Sequence, residues 1–329
     1  MKKLIAMILS LVMTLSLAAC GSSAPAATEA PAAETFKVAI IQQLDHSSLD
    51  EIRTAIETQL KALAAEKGVA IEISYDNGQN DTSMLTQIAT QVVADKVDMI
   101  IPIATLAAQY SVLAAENTGI PVVYAAISDP EGAGLTGLST VTGVSDALNT
   151  PFILDMMLAA QPDVKTVGLL YSTSEVNSEA PIAEAKAYLD AKGIAYLEKT
   201  GTTSGEIVEA AASLVGRVEA VFTPTDNVVM AAEASVAELL NADGIAHYTG
   251  ADSFVQSGAF TTCGVNYTEL GTKVGDMAFE ILNGGAIGEF VVMDGGIITV
   301  NTDTAAAIGV DYEVFNTMAN TLVTVTTAE

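Results

Sequence analysis

The sequence predicts an α/β protein of two similar lobes, each built on a parallel sheet. Three observations predict it. Short β-branched runs alternate with helical segments from Phe36 onward, the alternation restarts near residue 148, and the chain of 329 residues is long for a single hydrophobic core. Strands alternating with helices imply βαβ units, and two successive sets imply two α/β lobes.

The chain opens on Lys2 and Lys3, then an uncharged, mostly apolar stretch from Leu4 to Ala19, then Leu17-Ala18-Ala19-Cys20 followed by Gly21-Ser22-Ser23. That stretch is short of the roughly 20 residues a spanning helix needs, so a secretory segment fits better than a membrane span. The order of charge, apolar run, small residues and cysteine resembles the lipobox of bacterial lipoproteins. It implies cleavage before Cys20, lipid on the Cys20 thiol and a protein held outside the cytoplasmic membrane. Two or more acyl chains anchor stably, because each buried methylene contributes about 0.8 kcal/mol. Residues 20–35 are rich in Ala, Pro, Ser, Thr and Glu and lack large apolar groups, so they read as a flexible tether.

Phe36–Ile41 reads as a buried parallel strand. In the helix Leu49–Lys67, Ile52, Ile56, Leu60 and Leu63 share one face and Gly68 supplies the stop. The first lobe continues with strand Ala70–Tyr75, helix Thr82–Ala94, strand Met99–Ile103, helix Ala107–Asn117, strand Val122–Ala126 and an edge strand Thr142–Val144. The second opens with helix Thr150–Ala160, with Pro151 near its start. Strand Thr166–Tyr171, helix Ser178–Lys192, strand Ile194–Lys199, helix Gly205–Val215, strand Ala220–Phe222 and helix Val228–Asn241 follow. Strands Ala246–Thr249 and Ala259–Val265 and helix Thr268–Leu282 complete the pattern.

The formal net charge is −27, with 13 basic and 40 acidic residues. Such a chain repels phosphate backbones, which excludes nucleic acid as a partner. Cys20 is committed to lipid, leaving Cys263 alone, so no disulfide framework is possible and Cys263 reads as a buried structural thiol. The two histidines, His46 and His247, show no zinc spacing. There is no G-x-S-x-G elbow and no phosphate loop of the G-x-x-x-x-G-K-[ST] type. The triplet Gly132, Gly134, Gly137 precedes no helix and reads as a loop.

In an open α/β sheet, ligands bind beyond the C-terminal ends of the strands. The segments there are Gln42 to Leu49, Asp76 to Asp81, Ala104 to Ala107, Ser128-Asp129-Pro130, Ser145-Asp146, Ser172 to Ser178, Thr223 to Asn227, Gly250 to Ser253 and Asn266-Tyr267. They are rich in hydroxyls, amides and acids and contain no lysine or arginine. Each such residue could equally cap a helix. Their recurrence at nearly every strand end suggests a cleft for a small zwitterion, with hydroxyls and helix-start amides on the carboxylate and an aspartate on the ammonium. Asp226 or Asp252 is the expected ammonium partner, and Thr105 and Ser128 the expected carboxylate partners.

Several segments together resemble the ABC-transporter substrate-binding lipoproteins of the tryptophan/tyrosine-binding type: Ile103 to Gln109, Pro121 to Pro130, Val141 to Asp146, Tyr171 to Ser178, Pro224 to Asn227 and Tyr267 to Gly271. The resemblance runs from Phe36 to Leu282. It implies the type I periplasmic-binding architecture of two Rossmann-like lobes with a hinge and central cleft. The implied lobes are 36–148 plus 264–288 and 149–263 plus 289–329. It implies an aromatic amino acid in the cleft, faced by Gln42, His46, Thr105, Ser128, Asp129, Gly143, Ser145 and Asp146 from the first lobe, and by Glu175, Asn177, Asp226 and Asn227 from the second. It also implies an ABC permease as partner, no cofactor and no catalysis; a monomer is the default expectation. A receptor for a membrane signalling protein, or a lipoprotein hydrolase, are the alternative readings. Gln43 stands where the family often has an aromatic residue, Cys263 where it has an apolar or tyrosine-like one, and Asn266 where it has aspartate.

Overall fold

The computed structural model describes residues 35–328. The expected leader (1–19), Cys20 and the tether as far as residue 34 lie outside the described residues. Thr35, expected to end the tether, instead opens the first strand, β1 (Thr35–Gln42).

The first set continues with α1 (Ser47–Lys67), β2 (Ala70–Asn77), α2 (Thr82–Ala94), β3 (Met99–Ile103), α3 (Thr105–Ala115), β4 (Val122–Ala125) and β5 (Val141–Ser145). The second comprises α4 (Thr150–Ala160), β6 (Thr166–Ser172), α5 (Glu179–Lys192), β7 (Ala195–Gly201), α6 (Ser204–Ala212), β8 (Ala220–Thr223), α7 (Asn227–Met230), α8 (Glu233–Ala242), β9 (Ala246–Thr249), α9 (Asp252–Gln256) and β10 (Thr261–Gly264). The chain then runs through α10 (Tyr267–Leu282), β11 (Val291–Val292), β12 (Ile297–Asn301), α11 (Thr302–Ile308) and β13 (Thr321–Val325).

These strands form two sheets, ordered β11-β5-β4-β3-β1-β2 and β13-β12-β10-β9-β8-β6-β7. The first is parallel throughout. In the second, β12 runs antiparallel to β10 and the other pairs are parallel. Three segments cross between the sheets: β5 to α4, β10 to α10, and β11 to β12. The last crossing comes later than the expected return at residue 289, because Val291–Val292 still pairs with Val144–Ser145. The same pairing makes β5 an interior strand rather than the expected edge.

Strand alternation explains the cores. In the first sheet Ile40, Ile101 and Val123 face α1 and α10, while Ile41, Ile100 and Tyr124 face α2 and α3. Helix α1 buries Ile52, Ile56 and Leu60 and stops at Gly68, whose φ of 69° suits the left-handed cap. Gly271 and Gly275 present no side chain to α1, since a Cβ on either would collide with it, so α10 rides directly on α1. In the second sheet Val167, Phe222 and Tyr248 pack under α4 and α5. Cys263 is buried there, and burial pushes its thiol up to about 11.

The expected helix Val228–Asn241 is broken into α7 and α8. The buried Glu233 at the start of α8 turns onto His247 Nδ1 at 2.9 Å, and His247 Nε2 meets Thr223 Oγ1 at 2.8 Å. That polar cluster fixes α8 independently of α7, which is fixed from the cavity side by Asp226. Among the described residues no helix is long and apolar enough to cross a membrane.

Candidate ligand-binding site

A small cavity lies where the strand ends of the two sheets meet. From the first sheet come His46, Ser48 and Leu49 beyond β1, Ala104 and Thr105 beyond β3, Ala126 and Ser128 beyond β4, and Asp146 beyond β5. From the second come Asn177 beyond β6, Thr225, Asp226, Asn227 and Met230 beyond β8, and Ala251, Ser253 and Phe254 beyond β9; Tyr267 of α10 closes one end. No lysine or arginine lines it. The seven expected residues it brings together are His46, Thr105, Ser128, Asp146, Asn177, Asp226 and Asn227. The large apolar walls, Met230 and Phe254, are ones sequence reasoning missed, since Met230 reads as ordinary helix core and Phe254 falls in a stretch assigned to no element.

Side chains bridge the sheets around this cavity. Gln43 Nε2 donates to Glu175 Oε1 at 2.7 Å, Ser128 Oγ meets Thr225 Oγ1 at 2.8 Å, and His46 Nε2 lies 3.1 Å from Asn227 Oδ1. Asn227 Nδ2 in turn donates to Glu175 Oε2 at 2.6 Å. The two sets of strand ends are therefore closed on each other. Gln43, where an aromatic residue is usual for the resemblance, acts as a buried polar bridge. Its Oε1 also accepts from Leu106 N and its Nε2 also donates to Asn80 Oδ1.

The two aspartates beside the cavity differ in use. Asp226 Oδ2 accepts from Ser172 N and Ser178 Oγ, both at 2.7 Å, and Oδ1 accepts from Val228 N at 3.1 Å and Val229 N at 2.9 Å. A carboxylate has about four acceptor sites. Asp226 is thus fully engaged by the protein, capping α7 through Oδ1 and tying Ser172 and Ser178 through Oδ2, which leaves it no free acceptor site for the ammonium expected there. Asp252 is corrected as well: it stands in the first turn of α9 outside the lining, with Gln256 Nε2 donating weakly at 3.4 Å, and burial pushes it up to about 6. Asp146 accepts one bond on each oxygen, from Ser128 Oγ at 3.0 Å and Tyr267 OH at 3.2 Å. It keeps acceptor capacity that can face a ligand.

Five other expected residues serve the scaffold beside the cavity. Gln42 Nε2 donates to Leu44 O, Asp45 Oδ1 and Asp50 Oδ1, ordering the loop before α1. Asp129 Oδ1 accepts from Gly132 N and fixes a turn. Gly143 packs on Tyr124, whose carbonyl and ring leave no room for a Cβ. Ser145 Oγ is fully buried and accepts from Ala147 N. Glu175 sits behind the lining and bridges Gln43 to Asn227. Gln42, Asp129 and Ser145 answer backbone groups of their own loops, the use that residue type alone leaves open.

Helices α1 and α3 both start at the cavity, and neither is capped by its own N-cap residue, although Gln43 Oε1 accepts from Leu106 N in the first turn of α3. By contrast α2, α4, α7 and α10 are capped by Asp81, Asn149, Asp226 and Asn266. Uncapped helix starts are anion sites, because free N–H groups and the helix dipole point the same way. Ala104, before α3, adopts φ 73° and ψ 164°, a region that normally demands glycine, and Ala126 has φ 56°. Backbone strain of about 1–3 kcal/mol at each is the kind of cost found at ligand clamps.

The bridging carboxyl makes closure pH-dependent. Burial, reinforced by the neighbouring Asp226 charge, pushes Glu175 up to about 8 from its ordinary 4.5. A carboxyl whose pKa rises on burial binds its proton more tightly in the closed form. Closure is therefore fully favoured below pH 4.5 and loses stability as pH rises toward 8. We expect ligand affinity to fall across this window, with proton uptake on binding visible as a buffer-dependent heat in calorimetry. Glu175→Gln mimics the protonated form and should flatten the profile; a slope that survives it contradicts the assignment.

The family model for ABC transporter substrate binding proteins matches residues 37–318. The chain is 33% identical over 278 residues to a tyrosine-binding protein of Clostridioides difficile (strain R20291), covering 82% of this chain and 80% of that one. An ABC domain from Streptococcus pneumonia in complex with L-Trp superposes with a TM-score of 0.81 at 29% identity, covering 88% of this chain and all of that one. A ligand-free, open substrate-binding protein with adhesive properties from Clostridium difficile has higher identity, 32%, over 89% of this chain and all of that one, yet a TM-score of only 0.67. The fold is the type I periplasmic-binding fold, and the chain belongs to the ABC transporter substrate-binding protein family, a family of extracytoplasmic, non-enzymatic binding proteins.

Proposed function

We propose that this protein receives an aromatic amino acid in the interlobe cavity and delivers it to an ABC permease, while lipid on Cys20 tethers it to the outer face of the membrane after loss of residues 1–19. One observation carries the ligand class: a cavity without lysine or arginine combines an aspartate with spare acceptor capacity, Asp146, with the uncapped start of α1 and the start of α3, where Gln43 takes only the Leu106 amide. Asp146 takes the ammonium, and Thr105, Ser48 and the first amides of α3 and α1 take the carboxylate. Leu49, Met230 and Phe254 supply the apolar wall for a ring. The relatives described as binding tyrosine and L-Trp support the aromatic choice.

Thermal-shift measurements across the twenty amino acids test the reading. Tyrosine or tryptophan should raise the melting temperature, a ligand at 100 times its Kd adding about 2.7 kcal/mol, and should be recovered unchanged. Absence of a shift with every amino acid contradicts it.

A further inference from the structure

Three buried polar atoms that line the cavity have no protein partner: Asn177 Oδ1, His46 Nδ1 and Ser48 Oγ. They gather at one end. His46 and Ser48 follow β1, and Asn177 follows β6, whereas Asp146 follows β5. In the first sheet β1 stands three strands from β5; Glu175, two residues before Asn177, meets Gln43 beyond β1, and Asn177 is separated from Asp146 by Thr225 and Ser128. The cavity thus has an acceptor with spare capacity at each end. Asn177 is decisive at the far end. It is only 4% exposed, and its Nδ2 is committed to the Thr225 carbonyl at 2.7 Å, so its free atom is the oxygen, which can only accept.

We propose that Asn177 Oδ1 reads a hydrogen-bond donor on the ligand's side chain, so that the preferred ligand carries donors at both ends: an ammonium at one and a ring O–H or N–H at the other. This rests on the amino-acid reading above and narrows it. A ring without a donor leaves a buried acceptor unmatched, and a site built to bond a hydroxyl discriminates against such an analogue strongly.

Calorimetry on the unaltered protein tests this with L-tyrosine, L-phenylalanine and O-methyl-L-tyrosine, and with L-tryptophan against 1-methyl-L-tryptophan. The donor-bearing member of at least one series should bind about tenfold tighter or more than its donor-free analogues. In Asn177→Leu, phenylalanine should bind as before or better while the preferred donor-bearing ligand falls to its level. Equal affinities for donor-bearing and donor-free ligands in both series overturn the proposal and leave the amino-acid reading standing, as does a preference that survives Asn177→Leu. If Asn177→Leu does not fold, Asn177→Ser, which shortens the acceptor, takes its place with the same expectations. Failure of all five compounds to bind overturns the amino-acid reading itself.

Discussion

Replacing Asp226 with alanine should destabilise the ligand-free protein by about 4 kcal/mol, because it strands the N–H groups of Ser172, Val228 and Val229 in a buried site at about 1–3 kcal/mol each. For a lobe of this size that corresponds to a fall of about 10 °C in melting temperature. The sign distinguishes two roles. A buried carboxylate kept only for a ligand is a burden on the empty protein, and its removal raises stability or leaves it unchanged. A cap removed from α7 lowers it. Melting of the ligand-free Asp226→Ala variant at or above the parent temperature would return Asp226 to the role the sequence suggested.

Asp146→Asn should do the reverse. The amide keeps an acceptor for Ser128 and offers a donor to Tyr267, so the ligand-free melting temperature should stay within about 1 °C of the parent, as expected for a near-isosteric change with both bonds kept. Affinity for the amino acid should fall at least about 100-fold, since losing one partner of a buried, hydrogen-bonded ion pair typically costs about 2–5 kcal/mol. Burial already holds the Asp146 pKa above the ordinary carboxylate value, and an ammonium beside it would pull that pKa back down. Binding should therefore weaken as Asp146 becomes protonated in acid. Calorimetry reads both effects; an Asp146→Asn variant that binds with parental affinity removes Asp146 from the site.

The lobes were legible because their signals are local. β1 carries the apolar run Val38–Ile41 and β3 is apolar throughout, α1 shows one apolar stripe with a glycine stop, and α2 matches its expected bounds because Asp81 caps it at one end. The tail was less legible. β11 has two residues and β13 pairs with β12 across an intervening helix, so neither carries a pattern of its own. In the site, polar residues at strand ends marked where the cavity lies, but residue type does not say whether an aspartate faces a ligand or a helix start. Asp146 and Asp226 differ only in how many protein donors reach them, which depends on segments far apart in sequence. Ala104 and Ala126 gave no signal at all, since alanine announces no left-handed backbone.

The account depends most on hinged lobes that swing together when the cavity fills. Small-angle scattering of the protein alone and saturated with L-tyrosine, with saturation shown by calorimetry on the same sample, reads that motion. The radius of gyration should shrink as ligand is added, in proportion to occupancy. A scattering curve that stays the same while the site fills would contradict closure on the ligand.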